Sequence, residues 1–374
     1  MNQQLSNRTS NIELLRIILI IMIIAHHYYV HGNVQPNTNI TPNNILLQTF
    51  CFGGKIAVDV FVLISGYYLS AKTFSLKKFV KIVLQIKFYD ISILLLGICL
   101  NSSLVTNKFI FLSLFPFSSV NWFASVYIVL FALVPILNFV LDKLEKSILL
   151  KGILTGIVLW FILPSLLYYQ FQSNELLVFV VLYLMGGYMR FYCNINNKTV
   201  KSWGKKILLI SLVMIYASIL LIDIVGNIMN FNKGIFYYTG YQSILALFMA
   251  VGLFLVFKNI KISDSRIINM VASSVFGIYL IHDNPIISKI VWLELLNNEV
   301  FYYGSTSKLI IHFTISVVSV FVICCLIDIL RLYIIDKPLM GNFSKFVDIL
   351  ERILKQKFNN TIYKFLKNME RFRK

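Results

Sequence analysis

Charge is what this sequence most lacks. Of its 374 residues only 13% are charged, and just 16 are acidic, whereas a soluble domain carries about 25% charged residues. That scarcity excludes a water-soluble globular protein. Its five cysteines, Cys51, Cys99, Cys193, Cys324 and Cys325, show neither metal-ligand nor disulfide-framework spacing and read as small hydrophobes. No internal repeat of the transporter kind is visible. The first apolar run is followed by histidines and Asn-rich sequence rather than a small-residue cleavage site, so no cleavable signal peptide is expected. No loop is long enough to fold as a soluble catalytic unit, so any chemistry must belong to the membrane part.

What is present is apolar: 58% of residues are hydrophobic. Runs long enough to cross a bilayer recur along the whole chain. They fall near 13–31, 45–71, 82–100, 121–141, 148–168, 175–192, 206–225, 236–257, 268–294 and 308–335. The fold class expected is all-α, a polytopic transmembrane helix bundle of about ten spans. Several runs exceed the ~20 residues a spanning helix needs, which predicts tilt or a break.

The net charge is +18, and its distribution gives the orientation. Lys72, Lys77, Lys78 and Lys81 follow span 2, and Lys143, Lys146 and Lys151 follow span 4. Arg190, Lys198, Lys201, Lys205 and Lys206 follow span 6, and Lys258, Lys261 and Arg266 follow span 8. The alternate loops hold only Lys108, Lys233 and Lys308. The positive-inside rule then puts both termini in the cytoplasm, in a multi-pass protein of the plasma membrane. Basic loops of this kind also meet anionic lipid, so no nucleic-acid partner is expected. Residues 1–340 read as the membrane domain. Residues 341–374 read as a basic amphipathic tail, with Phe346, Leu350, Ile353 and Leu354 at helical spacing, lying on the inner leaflet.

Three stretches carry chemistry. In RIILIIMIIAHHYYVHG, Arg16 and His27 are eleven residues apart, three turns plus about 20°, so they share a face roughly 16 Å apart along the axis. His26 is turned about 80° away, and His31 returns near that face. A cation and an imidazole in a span normally face the bundle interior or a wet cavity. Arg16 could instead snorkel to headgroups, and a histidine could simply bridge helices. His27 and His31 could also hold a metal, but no local carboxylate or cysteine completes the shell, so none is expected.

In GGKIAVDVFVLISGYYLSAK, Lys55 and Asp59 are four apart and are expected to pair. Ser65-Gly66 suits close helix packing, and Asp59 is the functional candidate. In SSVFGIYLIHDNP, His282 lies at a depth comparable to His27, Asp283 follows it, Tyr279 is one turn earlier, and Pro285 is expected to break the helix. An interfacial cap at that bend is the plain alternative. Trp122 and Tyr127 read as interface anchors, and Lys87–Asp90 and Asp328–Arg331 as self-neutralising pairs.

These stretches, with WFASVYIVLFALVPILN between the second and third, occur in an order and at spacings that resemble the membrane-bound acyltransferase family 3. The resemblance covers nearly the whole chain, and VDVFVLISGYYL and GIYLIH are its most specific parts. It implies a ten-helix protein that moves an acyl group, usually acetyl, from cytoplasmic acyl-CoA to a hydroxyl of a cell-surface or lipid-linked polysaccharide. By the same resemblance His27 is catalytic and Arg16 serves the acyl donor, acetyl-CoA being the cofactor implied. Asp59 and His282 are further catalytic candidates, to orient His27 or stabilise the oxyanion. His27 could act as general base or carry the acyl group itself. Many family members have a Glu-Glu pair after Trp-Ser-Leu, where this chain has Trp122 followed by Phe123, Ala124, Ser125 and Val126. Partners expected are acyl-CoA, a carbohydrate acceptor and membrane lipids. A second copy of the chain or other glycan-assembly proteins are further partners admitted. Two other functions fit the same composition: a lipid-linked glycan flippase, whose intramembrane cations would grip an anionic carrier, and a glycan polymerase.

Overall fold

The computed structural model of the chain describes residues 10–34, 37–167, 174–230 and 237–336, with Pro338 and Ile353 beyond them. The proposed tail helix at 341–374 lies outside the described residues, Ile353 apart.

Those residues form helices α1 (Ser10–Val30), α2 (Pro42–Cys51), α3 (Gly54–Leu69), α4 (Leu76–Leu100), α5 (Asn107–Leu114), α6 (Trp122–Lys143) and α7 (Lys146–Leu167). There follow α8 (Glu175–Tyr192), α9 (Lys198–Met229), α10 (Ile244–Asn259), α11 (Arg266–His282), α12 (Pro285–Leu295), α13 (Asn298–Tyr302) and α14 (Thr306–Asp336). No strand occurs among the described residues. Eight segments are long and apolar enough to cross a membrane, α2 and α3 counting together. A ninth is the pair α11–α12, bent by 75°. The remaining expected span is α10, whose 16 residues reach only about 24 Å, short of a ~30 Å hydrocarbon core.

Three local choices in the sequence shape the bundle. Small residues let two helices touch: a Cβ on Gly66 would fall on the backbone of Tyr183, and one on Gly186 on the backbone of Leu63 and Tyr67. Thus α3 and α8 cross with their main chains in contact, as small residues allow in membranes. The break before α3 falls at Phe52-Gly53, and a Cβ on Gly54 would strike the His26 side chain. His26 itself donates from Nδ1 to the Cys51 carbonyl at 2.7 Å, holding the end of α2 against α1.

The break at α12 is the third, and it follows the expectation for Pro285. Proline occupies the first helical position, where its missing N–H is not needed. The Asn284 side chain accepts from Ile286 N at 3.1 Å and caps the new start. Asp283 and Asn284 thereby sit in the elbow between two half-helices.

Charges inside the bundle are mostly paired, as the low charge content demands. Lys87 donates to Asp90 at 3.1 Å, as expected, and also to the Leu112 and Ser113 carbonyls. It therefore pins the end of α5 against the middle of α4. Asp328 and Arg331 also pair, at 2.8 Å, with Tyr89 donating to the same carboxylate oxygen. Arg331 reaches on to Asp336, which meets Lys81 at 3.2 Å. Two sequence expectations fail here. Lys55 does not pair with Asp59; its ammonium lies 4.4 Å from the centre of the Trp122 ring. Tyr127 is not a simple interface anchor, because its hydroxyl meets Ser65 Oγ at 3.1 Å between α6 and α3. In both cases a long side chain found an interior partner on another helix, which residue spacing along one helix does not reveal.

Candidate active site

The site forms where the C-terminal end of α1 meets the α11–α12 elbow. His27 is in the last turn of α1 and His282 is the last residue of α11; both are buried. Their rings meet through His27 Nδ1 and His282 Nε2, 3.0 Å apart. The direction of that bond follows from the next one. His282 Nδ1 lies 2.6 Å from the Ile278 carbonyl, which can only accept. Neutral His282 therefore keeps its proton at Nδ1 and presents a lone pair at Nε2. His27 must donate from Nδ1, and its own lone pair is left at Nε2.

That free nitrogen faces a carboxylate. Asp283 Oδ1 is 3.4 Å from His27 Nε2 and 3.5 Å from His31 Nε2. The arrangement is a relay of fixed sense: a backbone carbonyl orients His282, His282 orients His27, and His27 offers its basic nitrogen beside an anion. A proton taken up at Nε2 makes an imidazolium next to Asp283. The orienting acceptor on Nδ1 is what a histidine base needs. The carboxylate lies on the side of the basic nitrogen, so an acceptor hydroxyl would have to reach Nε2 beside Asp283, which would offset the imidazolium that forms. His31 is 38% exposed at its side chain, so the cluster has an open side there.

Further polar groups are buried close by. Tyr279 is buried one turn before Asp283, and its hydroxyl lies beside the Asp283 carboxylate and the Asn121 side chain without bonding geometry to either. Asn121 is 1% exposed. Among the described residues, neither end of its amide has a hydrogen-bond partner, and the same holds for the Asn284 amide nitrogen. Such buried unpaired groups are rare in native proteins; here one precedes α6, beside Tyr279, and the other lies in the elbow. Trp122, expected as a lipid anchor, instead carries Lys55 on its face and lies 5.8 Å from the Tyr241 ring. Tyr241 in turn meets Glu175 at 3.3 Å.

The four residues singled out from the sequence are thus placed differently. His27 and His282 come into direct contact. Asp59 is fully buried, but neither of its oxygens finds a hydrogen-bond partner among the described residues, and no bond joins it to either histidine. Arg16 lies on the His27 face of α1 about 16 Å away, with its guanidinium 3.5 Å from Glu13. Asp283 was visible only as a neighbour of His282; its bonding to His27 needed the fold. It also supplies the carboxylate that spacing could not place near His27 and His31. The three now offer ligand atoms within 4.8 Å of one another, a set that could hold a metal ion.

A sequence profile of the acyltransferase domain of family 3 matches residues 9–329. No curated protein and no solved structure matches the chain. The profile spans α1 through most of α14, including both histidines of the relay and its aspartate. The chain is therefore a polytopic membrane protein of acyltransferase family 3.

Proposed function

We propose that the chain is an O-acyltransferase of the plasma membrane that carries an acyl group, acetyl in the simplest case, from cytoplasmic acyl-CoA to a hydroxyl of a cell-surface or lipid-linked polysaccharide. The observation that carries this reading is the His282–His27–Asp283 relay at the C-terminal end of α1. His27 Nε2 takes the proton of the acceptor hydroxyl while its oxygen attacks the thioester carbonyl. Asp283 offsets the imidazolium charge. The C–O bond forms, the C–S bond breaks, and the imidazolium returns its proton to the departing thiolate, releasing CoA as the thiol. The pantetheine arm has twelve bonds between its phosphate oxygen and sulfur, the equivalent of four extended residues or about 14 Å. That reach matches the roughly 16 Å from Arg16 to His27, so Arg16 is suited to the pyrophosphate.

The test compares the acetyl content of isolated surface glycan, by mass spectrometry, in cells carrying the native gene, His27→Ala or no gene. The glycan should lose acetyl mass in the deletion, and His27→Ala should match the deletion. His26→Ala should keep more activity than His27→Ala, because His26 bonds the Cys51 carbonyl and not the relay. Unchanged acetylation with altered polymer amount or length would place the chain with transport or polymerisation instead.

A further inference from the structure

The opposite end of the bundle holds a second cluster. Tyr67 and Tyr68 lie in the last turn of α3, Arg190 near the end of α8, and Lys258 near the end of α10. The Arg190 guanidinium lies 5.1 Å from the Tyr67 ring centre and donates to the Tyr67 hydroxyl at 3.3 Å. The Lys258 ammonium is 5.6 Å from both tyrosine rings and donates to the Tyr68 hydroxyl at 3.3 Å. The two rings stand edge to face, 5.1 Å apart. Among the described residues neither cation has a carboxylate within ion-pair distance, unlike Lys87 and Arg331 inside the bundle. Asn11, at the start of α1, donates to the Phe257, Lys258 and Ile260 carbonyls and fixes the end of α10 at this level.

The spacing along the bundle is informative. Gly54 abuts His26, so it marks the level of the relay. Tyr67 is thirteen residues further along α3, about 20 Å away. Asn11, which marks the level of Lys258, is sixteen residues from His27 along α1, about 24 Å. Arg16 falls between, about 16 Å from His27. A thioester at His27 places the pyrophosphate near Arg16, and the adenosine and its 3′-phosphate one step beyond, at the tyrosines and the two unpaired cations. Cations over aromatic faces suit a ligand that is both aromatic and anionic.

We propose that Tyr67, Tyr68, Arg190 and Lys258 form the clamp for the 3′-phosphoadenosine end of coenzyme A, with Arg190 and Lys258 reading the 3′-phosphate and Tyr68 packing against adenine. This rests on the acyl-CoA reading above. A plainer role for these cations is to offset helix C-termini and meet lipid phosphate, so the test separates nucleotide from lipid.

The purified full chain in phosphatidylcholine nanodiscs is titrated calorimetrically with coenzyme A and with 3′-dephospho-coenzyme A. The native chain should prefer coenzyme A by about tenfold, which is ~1.4 kcal/mol. Arg190→Ala and Lys258→Ala should each weaken coenzyme A and bring the two ligands level, while leaving the affinity for the dephospho form nearly unchanged. Tyr68→Leu should weaken both ligands equally. Retained affinity for the dephospho form also shows that the cation variants are folded. An undiminished preference for coenzyme A in both cation variants overturns the proposal. So does a native chain that binds both ligands alike, or variants that keep both affinities and lose only phosphatidylglycerol retention, seen by native mass spectrometry of the chain in nanodiscs that also contain that lipid. A native chain that binds neither ligand removes the acyl-CoA reading itself.

Discussion

Replacing His282 probes the relay without touching the group that takes the proton. His282→Leu removes the acceptor of the 3.0 Å bond from His27 Nδ1. It leaves a buried N–H unpaired, which costs ~1–3 kcal/mol, and frees the His27 ring to turn and to change tautomer. At metal sites, loss of the partner that orients a histidine costs about 10–100-fold, the scale expected for His282, whereas loss of the base itself costs about 10²–10⁴-fold. His282→Leu should therefore lower acetyl transfer by about 10–100-fold, less than His27→Ala does. His282→Gln can place a carbonyl oxygen near the position of Nε2 and should recover most of that loss. The assay is release of CoA thiol by proteoliposomes supplied with acetyl-CoA and surface glycan from a gene-deleted strain. Equal activity in the Leu and Gln variants, both near native, would show that the His27–His282 contact plays no part in catalysis.

Other consequences are open to direct measurement. Asp283→Asn keeps shape and hydrogen bonding but removes the charge beside His27 Nε2; turnover should fall by about tenfold or more, with little change in the acetyl-CoA concentration needed for half-maximal rate. Chelators should leave activity intact, and added Zn²⁺ should inhibit by occupying the His27–His31–Asp283 set; loss of activity in a chelator with recovery on Zn²⁺ would make His27 a ligand and not a base. Gly66→Val should lower the midpoint of thermal unfolding in detergent sharply, because its side chain falls on the Tyr183 backbone, while the surface change Lys151→Ala should leave that midpoint nearly unmoved, its stability effect being within about ±0.5 kcal/mol.

The legible part of this protein was the part written in one helix at a time. Hydropathy gave the segments, including the long one that α2 and α3 share. The eleven-residue step put Arg16 and His27 on one face, and Pro285 announced the elbow. What could not be read was which helix answers which. Lys55 has Asp59 one turn away on its own helix, yet it rests on Trp122 of α6. Asp283 looked like the neighbour of His282, yet it faces His27 of α1 and His31 just beyond its end. Tyr67, Tyr68, Arg190 and Lys258 are spread over three helices and nearly two hundred residues, with no local pattern to join them. Periodicity reports the direction of a side chain from its own axis; the identity of its partner is set by how the axes pack.

The contact of α3 with α8 through Gly66 and Gly186 has a mechanical consequence. Two helices packed main chain to main chain leave no room for a side chain between them, so the two glycines fix where along their length they cross. One carries Lys55 near its first residue and Tyr67 near its last, and its companion carries Glu175 and Arg190 in the same order. The locked pair acts as a ruler of fixed length between the two ends of the protein. A donor held at one end of a ruler delivers its carbonyl to one height only, so each added methylene in the acyl chain must find room past that mark, not along the way to it.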